Sequence, residues 1–255
     1  MDWNWMLELL FRWAHVVAGV LWIGLLYFFN WVNGPFAATL DGDTKPKVVP
    51  QLMPRALYFF RWGAMFTWVT GFLLLALMYY HGNLMTSVED ASTKALAFGL
   101  VSMFVGAIVY DQVWKFLKGH AALGVSFVLL AALIWVLAHT GQLGGRALYI
   151  HVGAMFGTAM FMNVWMRIWP AQRKIIAAIQ GGNAPDGSLV ALAGLRSKHN
   201  TYMSVPLIFT MISNHYHQIY GRQDAWLFLL GFVAVGWTVT FFIYKKATSA
   251  APTKF

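Results

Sequence analysis

The sequence contains no cysteine and very little charge. Without cysteine there is no disulfide, no thiolate metal site, no thiol nucleophile and no covalent c-type haem through C-x-x-C-H. Charged residues make up 11% of the 255, where a soluble domain carries about 25%. That shortage excludes an ordinary globular domain with a solvated surface. Hydrophobic residues instead reach 59% and aromatics 17%. The formal net charge of +9 raises nucleic acid as a partner. It is set aside because the basic residues stand in short loops between apolar runs, where they orient a chain in a lipid bilayer.

Seven apolar runs are present, at roughly 7–32, 56–80, 94–114, 121–139, 147–169, 201–220 and 224–244. A span needs about 20 apolar residues. The expectation is an all-α, polytopic transmembrane helix bundle of about seven spans, forming one domain over 1–255. The first run is too long for a cleaved signal peptide and opens with Asp2 and Glu8 instead of a basic cluster. The stretch 33–55 holds Asn33-Gly34-Pro35 and Asp41-Gly42-Asp43 and reads as a loop. The stretch 170–200 also reads as a loop, with Gln172 to Gln180 as an amphipathic segment at the interface. With seven spans, all but four of the 18 Lys and Arg residues fall on one side, the exceptions being Arg12, Lys94, Arg146 and Arg222. The positive-inside rule then places the C-terminus in the cytoplasm and the N-terminus outside.

Histidine carries the chemistry. Of the eight, six gather at the outer side: His15 about two turns into the first span, His151 about one turn into the fifth, His81 and His139 at helix ends, and His215 and His217 at the end of the sixth. Histidine inside a membrane is costly and faces the bundle interior with a partner. Imidazoles on different helices at one depth are what a bis-histidine b-type haem needs. His15, His151 and His215 are therefore the nominated iron ligands, with His139 next, and one or two haems as cofactor. Gly19, one turn from His15, would leave room for a porphyrin edge. Arg12, Arg146 and Arg222 are candidates for a haem propionate. The plainer reading is that the histidines at helix ends are interfacial and that the deeper ones bond neighbouring helices. Copper or zinc is the other chemical option, poorly supplied without cysteine. At the opposite side Asp111 is the one carboxylate deep in a helix. Lys115 at i+4 makes an interfacial ion pair its simplest reading. A proton relay or quinone-site acid is the functional one, in a pocket with Asn163, Asn200, Asn30, Arg61, Arg167 and His199.

Four strings recur in order on these spans. They are His15-x-x-x-Gly19-x-x-Trp22-Ile23-Gly24 running to Asn30; Pro54-Arg55-Ala56 with Arg61-Trp62; His151-Val152-Gly153-Ala154-Met155 running to Asn163-Val164; and Lys198-His199-Asn200-Thr201-Tyr202 followed by Pro206 and Asn214-His215. The chain resembles, over nearly its whole length, the membrane N-terminal domain of the bacterial urate oxidase (urate hydroxylase) family. The resemblance implies oxidation chemistry in the bacterial cytoplasmic membrane, linked to a C-terminal c-type cytochrome. This sequence holds no C-x-x-C-H and closes on a short tail after Lys245-Lys246. The expectation is therefore a membrane redox subunit that passes electrons between a partner redox protein and quinone or a cytochrome, the cytochrome c or dehydrogenase being a separate chain. Alternatives are a urate or purine oxidase acting in the inner pocket, with Asn163, Asn200 and Asp111 as candidate catalytic residues, and a cofactor-free anchor. Protease protection or a reporter fused at residue 255 checks the topology: the tail is expected to be shielded from outside, and external access would reverse the assignment.

Overall fold

The computed structural model describes residues 3–82, 84–85 and 93–249. Among them there are helices and turns and no strand. The long helices are α1 (Asn4–Ala38), α2 (Lys45–His81), α3 (Thr93–Phe116), α4 (Gly119–His139), α5 (Gly145–Gln180), α6 (Gly187–Ile212) and α7 (Ala225–Thr248). All but α6 are long and apolar enough to cross a membrane. In α6 the apolar run is interrupted by Arg196, Lys198, His199 and Asn200.

Helix boundaries differ from the apolar runs where polar residues are helical. α2 begins at Lys45, so much of the expected 33–55 loop is helix, with Pro50 and Pro54 inside it. α6 begins at Gly187, well before the expected start at 201, and ends at Ile212 instead of 220. A turn of 3-10 helix (Ser213–His215) and a short helical turn (His217–Tyr220) follow it. The Asp186 side chain caps α6 by accepting from the Ser188 N–H at 2.8 Å. Those bonds from Ser188 hold the Asp186 carboxyl below the usual carboxylate range. The stretch Trp169–Gln180 continues α5 and buries Ala171, Ile175 and Ala193 against the start of α6. The expected amphipathic segment is thus docked on protein along its apolar face.

Three helices contain a stretch of π-helix: Phe28–Asn33 in α1, Ala76–His81 in α2 and Asn163–Ile168 in α5. Such stretches widen the turn and redirect side chains, often at functional positions.

α5 is the centre of the bundle. In its most apolar stretch 72% of residues are buried, against 17–28% in the other five apolar helices. Lipid is as apolar as leucine, so helices in it associate through close fit more than through hydrophobic burial. Large side chains accordingly seat on glycines of the facing helix. Trp22 of α1 lies on Gly63 of α2, where an added Cβ would come within 3.3 Å of it. His151 of α5 lies on Gly99 of α3, and Met155 on Gly106. Thr210 of α6 lies on Gly153 of α5 so closely that a Cβ there would overlap its hydroxyl. Gly157, one turn on, has room, since a Cβ would sit 3.5 Å from Leu207 Cδ1. Gly153→Ala is therefore expected to destabilise the detergent-solubilised protein by about 1–3 kcal/mol, while Gly157→Ala stays near wild type. Thermal unfolding of both variants checks the contrast.

Candidate functional site

Two polar clusters interrupt the apolar bundle, one at each end. At the first end lie His15, His81, His139, His151, His215 and the helix termini around them. His151 is fully buried. Its Nδ1 lies 2.7 Å from the Ala147 carbonyl and its Nε2 lies 3.1 Å from the Tyr80 hydroxyl. A carbonyl only accepts, so Nδ1 carries the proton and Nε2 accepts from Tyr80. Tyr79 sets its ring edge-on to His151 and donates to Asn214 Oδ1 at 3.0 Å. Arg146 Nε reaches the same oxygen at 3.2 Å. His151, Tyr79, Tyr80, Asn214 and Arg146 thus form one cluster from α2, α5 and the turn after α6.

His15 has the same ring chemistry on another pair of helices. Its Nδ1 lies 2.9 Å from the Thr67 carbonyl of α2, so that nitrogen donates and Nε2 keeps its lone pair. The ring rests on Gly71, where an added Cβ would lie 2.8 Å from His15 Cε1. Gly19 faces Thr67 and has space for a methyl group. Arg12 pairs with Glu8 and approaches Met78 Sδ at 3.3 Å. Arg222 pairs with Asp224. His139 is stacked on Trp135 and set edge-on to Trp226. His215 is exposed on its 3-10 turn.

These residues suit a haem singly and not as one pair. A ligating histidine normally donates its other ring N–H to a carbonyl or carboxylate, and both His15 and His151 do so. Each also rests on a glycine whose missing Cβ leaves bare backbone beside the ring. Yet His15 touches α2 at Thr67–Gly71 and His151 touches it at Tyr79–Tyr80. That is about ten residues of helix, or roughly 15 Å. Two imidazoles on one iron must face each other across a single porphyrin plane, which these two do not. Among the described residues, no three of His, Asp and Glu gather as a metal site.

At the other end the polar groups are more densely connected. Asp111 of α3 receives Arg167 Nη2 of α5 at 2.7 Å and Arg196 Nη2 of α6 at 2.9 Å. Lys115, the expected i+4 partner, has its ammonium over the Phe116 ring instead. The ion pair is therefore between helices, not within one. Arg196 is only 3% exposed, and its Nε has no hydrogen bond. Asn163 donates to the Tyr110 hydroxyl at 2.9 Å and to Asn200 Oδ1 at 2.7 Å. Asn200 donates to the Met160 carbonyl at 3.0 Å. The Tyr110 hydroxyl lies 2.9 Å from His199 Nδ1, and the Trp114 ring lies 4.0 Å from the His199 ring. Asn30 is apart from this network, bonded to Ser197 and Tyr244. Arg61 stacks on Trp169 at 4.1 Å.

The urate oxidase N-terminal family matches residues 1–254. This chain belongs to that family. The family connects the chain to oxidoreductase chemistry. No curated protein and no solved structure matches it. Within this family member, Asn163, Asn200 and Asp111 do share one cluster, as the sequence indicated. Tyr79, Tyr80, Tyr110 and Arg196 were not anticipated; the available signals were Arg196 one turn before Asn200 on the same helix and Tyr110 beside Asp111.

Removing Asp111 leaves two guanidinium groups without their carboxylate, one of them buried. Asp111→Asn is expected to cost on the order of 3 kcal/mol, and Lys115→Ala almost nothing. Chemical denaturation in detergent micelles distinguishes the two; equal losses would restore the i+4 pair.

Proposed function

We propose that this protein is a membrane subunit of a bacterial oxidoreductase, set in the cytoplasmic membrane with seven spans and its N-terminus outside. It holds b-type haem at the His15–His151 end and passes electrons between a partner redox protein and either quinone or a c-type cytochrome. The observation that supports this reading is the matched chemistry of two inward histidines. Each spends its Nδ1–H on a backbone carbonyl and keeps Nε2 as the basic nitrogen. Because they meet α2 at different levels, they serve different irons, which favours two haems over one.

A bound haem supplies a reversible one-electron iron couple. The chain supplies the rest. The Thr67 and Ala147 carbonyls hold each imidazole in one tautomer and one rotation. The Tyr80 hydroxyl must turn away from His151 Nε2 for a metal to take its place. Arg146, held at the end of the bundle by Asn214, is the cation for a propionate. With no cysteine in the 255 residues, a c-type haem in the same electron path lies outside them.

The Asp111 end favours a second reading, oxidation of urate or a related purine at that cluster. A planar cyclic imide presents alternating N–H and C=O groups, and the Arg196 Nε–H, which has no hydrogen bond, is a donor for one of its carbonyls once the Asn163–Asn200 pair opens. A reduced-minus-oxidised spectrum with haem quantification separates these readings from a cofactor-free anchor. His15→Ala and His151→Ala are each expected to remove part of the b-type signal, with His81→Ala and His120→Ala close to wild type. Absence of a Soret band in fully folded protein would defeat the haem assignment. Rapid reduction by urate alone, slowed by Asn163→Ala or Asn200→Ala, would favour the second reading.

A further inference from the structure

A groove of about 1220 Å³ runs between α3, α4, α5, α6 and α7. On α3 it extends from Ala97 to Trp114, about 25 Å at 1.5 Å per residue, close to the thickness of a hydrocarbon core. Its walls are almost wholly apolar, with Val101, Val105, Leu130, Met155 and Phe241 among them. Its polar groups gather toward one end, at Tyr110, Trp114, His120, Lys198 and His199. The groove therefore has the form of an amphiphile, with a long apolar body and a small polar head.

Hydrogen-bond direction defines what the head must be. Asn163 donates to the Tyr110 oxygen, and the Tyr110 hydroxyl is left to donate to His199 Nδ1. A neutral His199 then carries its proton on Nε2. That N–H has no partner among the described residues, and it belongs to a ring lining the groove. The site therefore presents a directed neutral donor beside the flat Trp114 indole, which Ser126 fixes through its Nε1 at 3.1 Å. The nearby cations are occupied: Lys198 sits over the Tyr244 ring and Arg196 is paired with Asp111. An uncharged, flat, carbonyl-bearing head with a long hydrocarbon tail meets these conditions better than a phosphate does.

We infer that the groove binds an isoprenoid quinone, its ring carbonyl accepting from His199 Nε2 beside Trp114 and its tail lying along α3 toward Ala97. This rests on and deepens the redox reading by giving quinone a place along α3 from His151, whose ring lies on Gly99, 11 to 15 residues or about 17–22 Å from Tyr110–Trp114. The test reads binding alone, so it can fail while the haem assignment stands, and the reverse.

The probe is a short-tailed azido-ubiquinone, photo-crosslinked to the full chain in phosphatidylcholine vesicles, followed by peptide mapping and competition with decylubiquinone. Labelling is expected in peptides holding Tyr110–Trp114 and Lys198–Tyr202. His199→Ala is expected to weaken capture about tenfold, the loss of one buried hydrogen bond. Val105→Trp fills the groove from its half-exposed wall and leaves the polar end untouched; it should also reduce capture. Labelling elsewhere would overturn the proposal. So would capture unchanged in both variants, or displacement by phosphatidic acid as effective as by decylubiquinone, which would make the groove a lipid site.

Discussion

Glycine against a large side chain is the contact on which this bundle depends. Apolar residues gain little by leaving lipid for one another, so the helices need close van der Waals fit. Gly63 receives Trp22, Gly71 receives His15, Gly99 receives His151, Gly106 receives Met155 and Gly153 receives Thr210. Two of these five side chains are the inward histidines. The same contacts that join α1 to α2 and α3 to α5 therefore also decide where the imidazoles point. Packing and site geometry are one problem here.

The second constraint is the cost of polar groups in a low-dielectric interior. The protein meets it by connecting them: Asp111, two arginines, two asparagines, Tyr110 and His199 form a continuous network. Such a network is stable only while nearly every member is satisfied. Its residues sit where the helix departs from regular geometry, since Asn163 and Arg167 lie in a π-helical stretch, as Tyr79 and Tyr80 do at the other end. The wider turn redirects neighbouring side chains toward facing helices.

Hydropathy revealed the helical class and four of the helices (α1, α3, α4 and α7) to within about six residues of their ends. It reports depth along a helix axis and says little about rotation around it. It also reads depth only coarsely, so His15 and His151 were placed at one depth although their contacts on α2 lie about ten residues apart. Asp111 stood out as the one carboxylate deep in an apolar run. Its partners did not, because Arg167 and Arg196 are distant in sequence and only Lys115 lies within local reach. The first half of α6 read as loop because it is polar, but its helix is held by Ala193 packing on Ala171 and Ile175, a contact that exists only once α5 has continued past Pro170.

α2 touches both inward histidines, His15 through the Thr67 carbonyl and His151 through the Tyr80 hydroxyl. It works as a shaft with two gears on it. Sliding it along its axis by one residue, about 1.5 Å, disengages both imidazoles together, although they sit on different helices and never meet. Any load applied to the N-terminal extension of α2 at Lys45–Arg55 is thus transmitted to both rings at once.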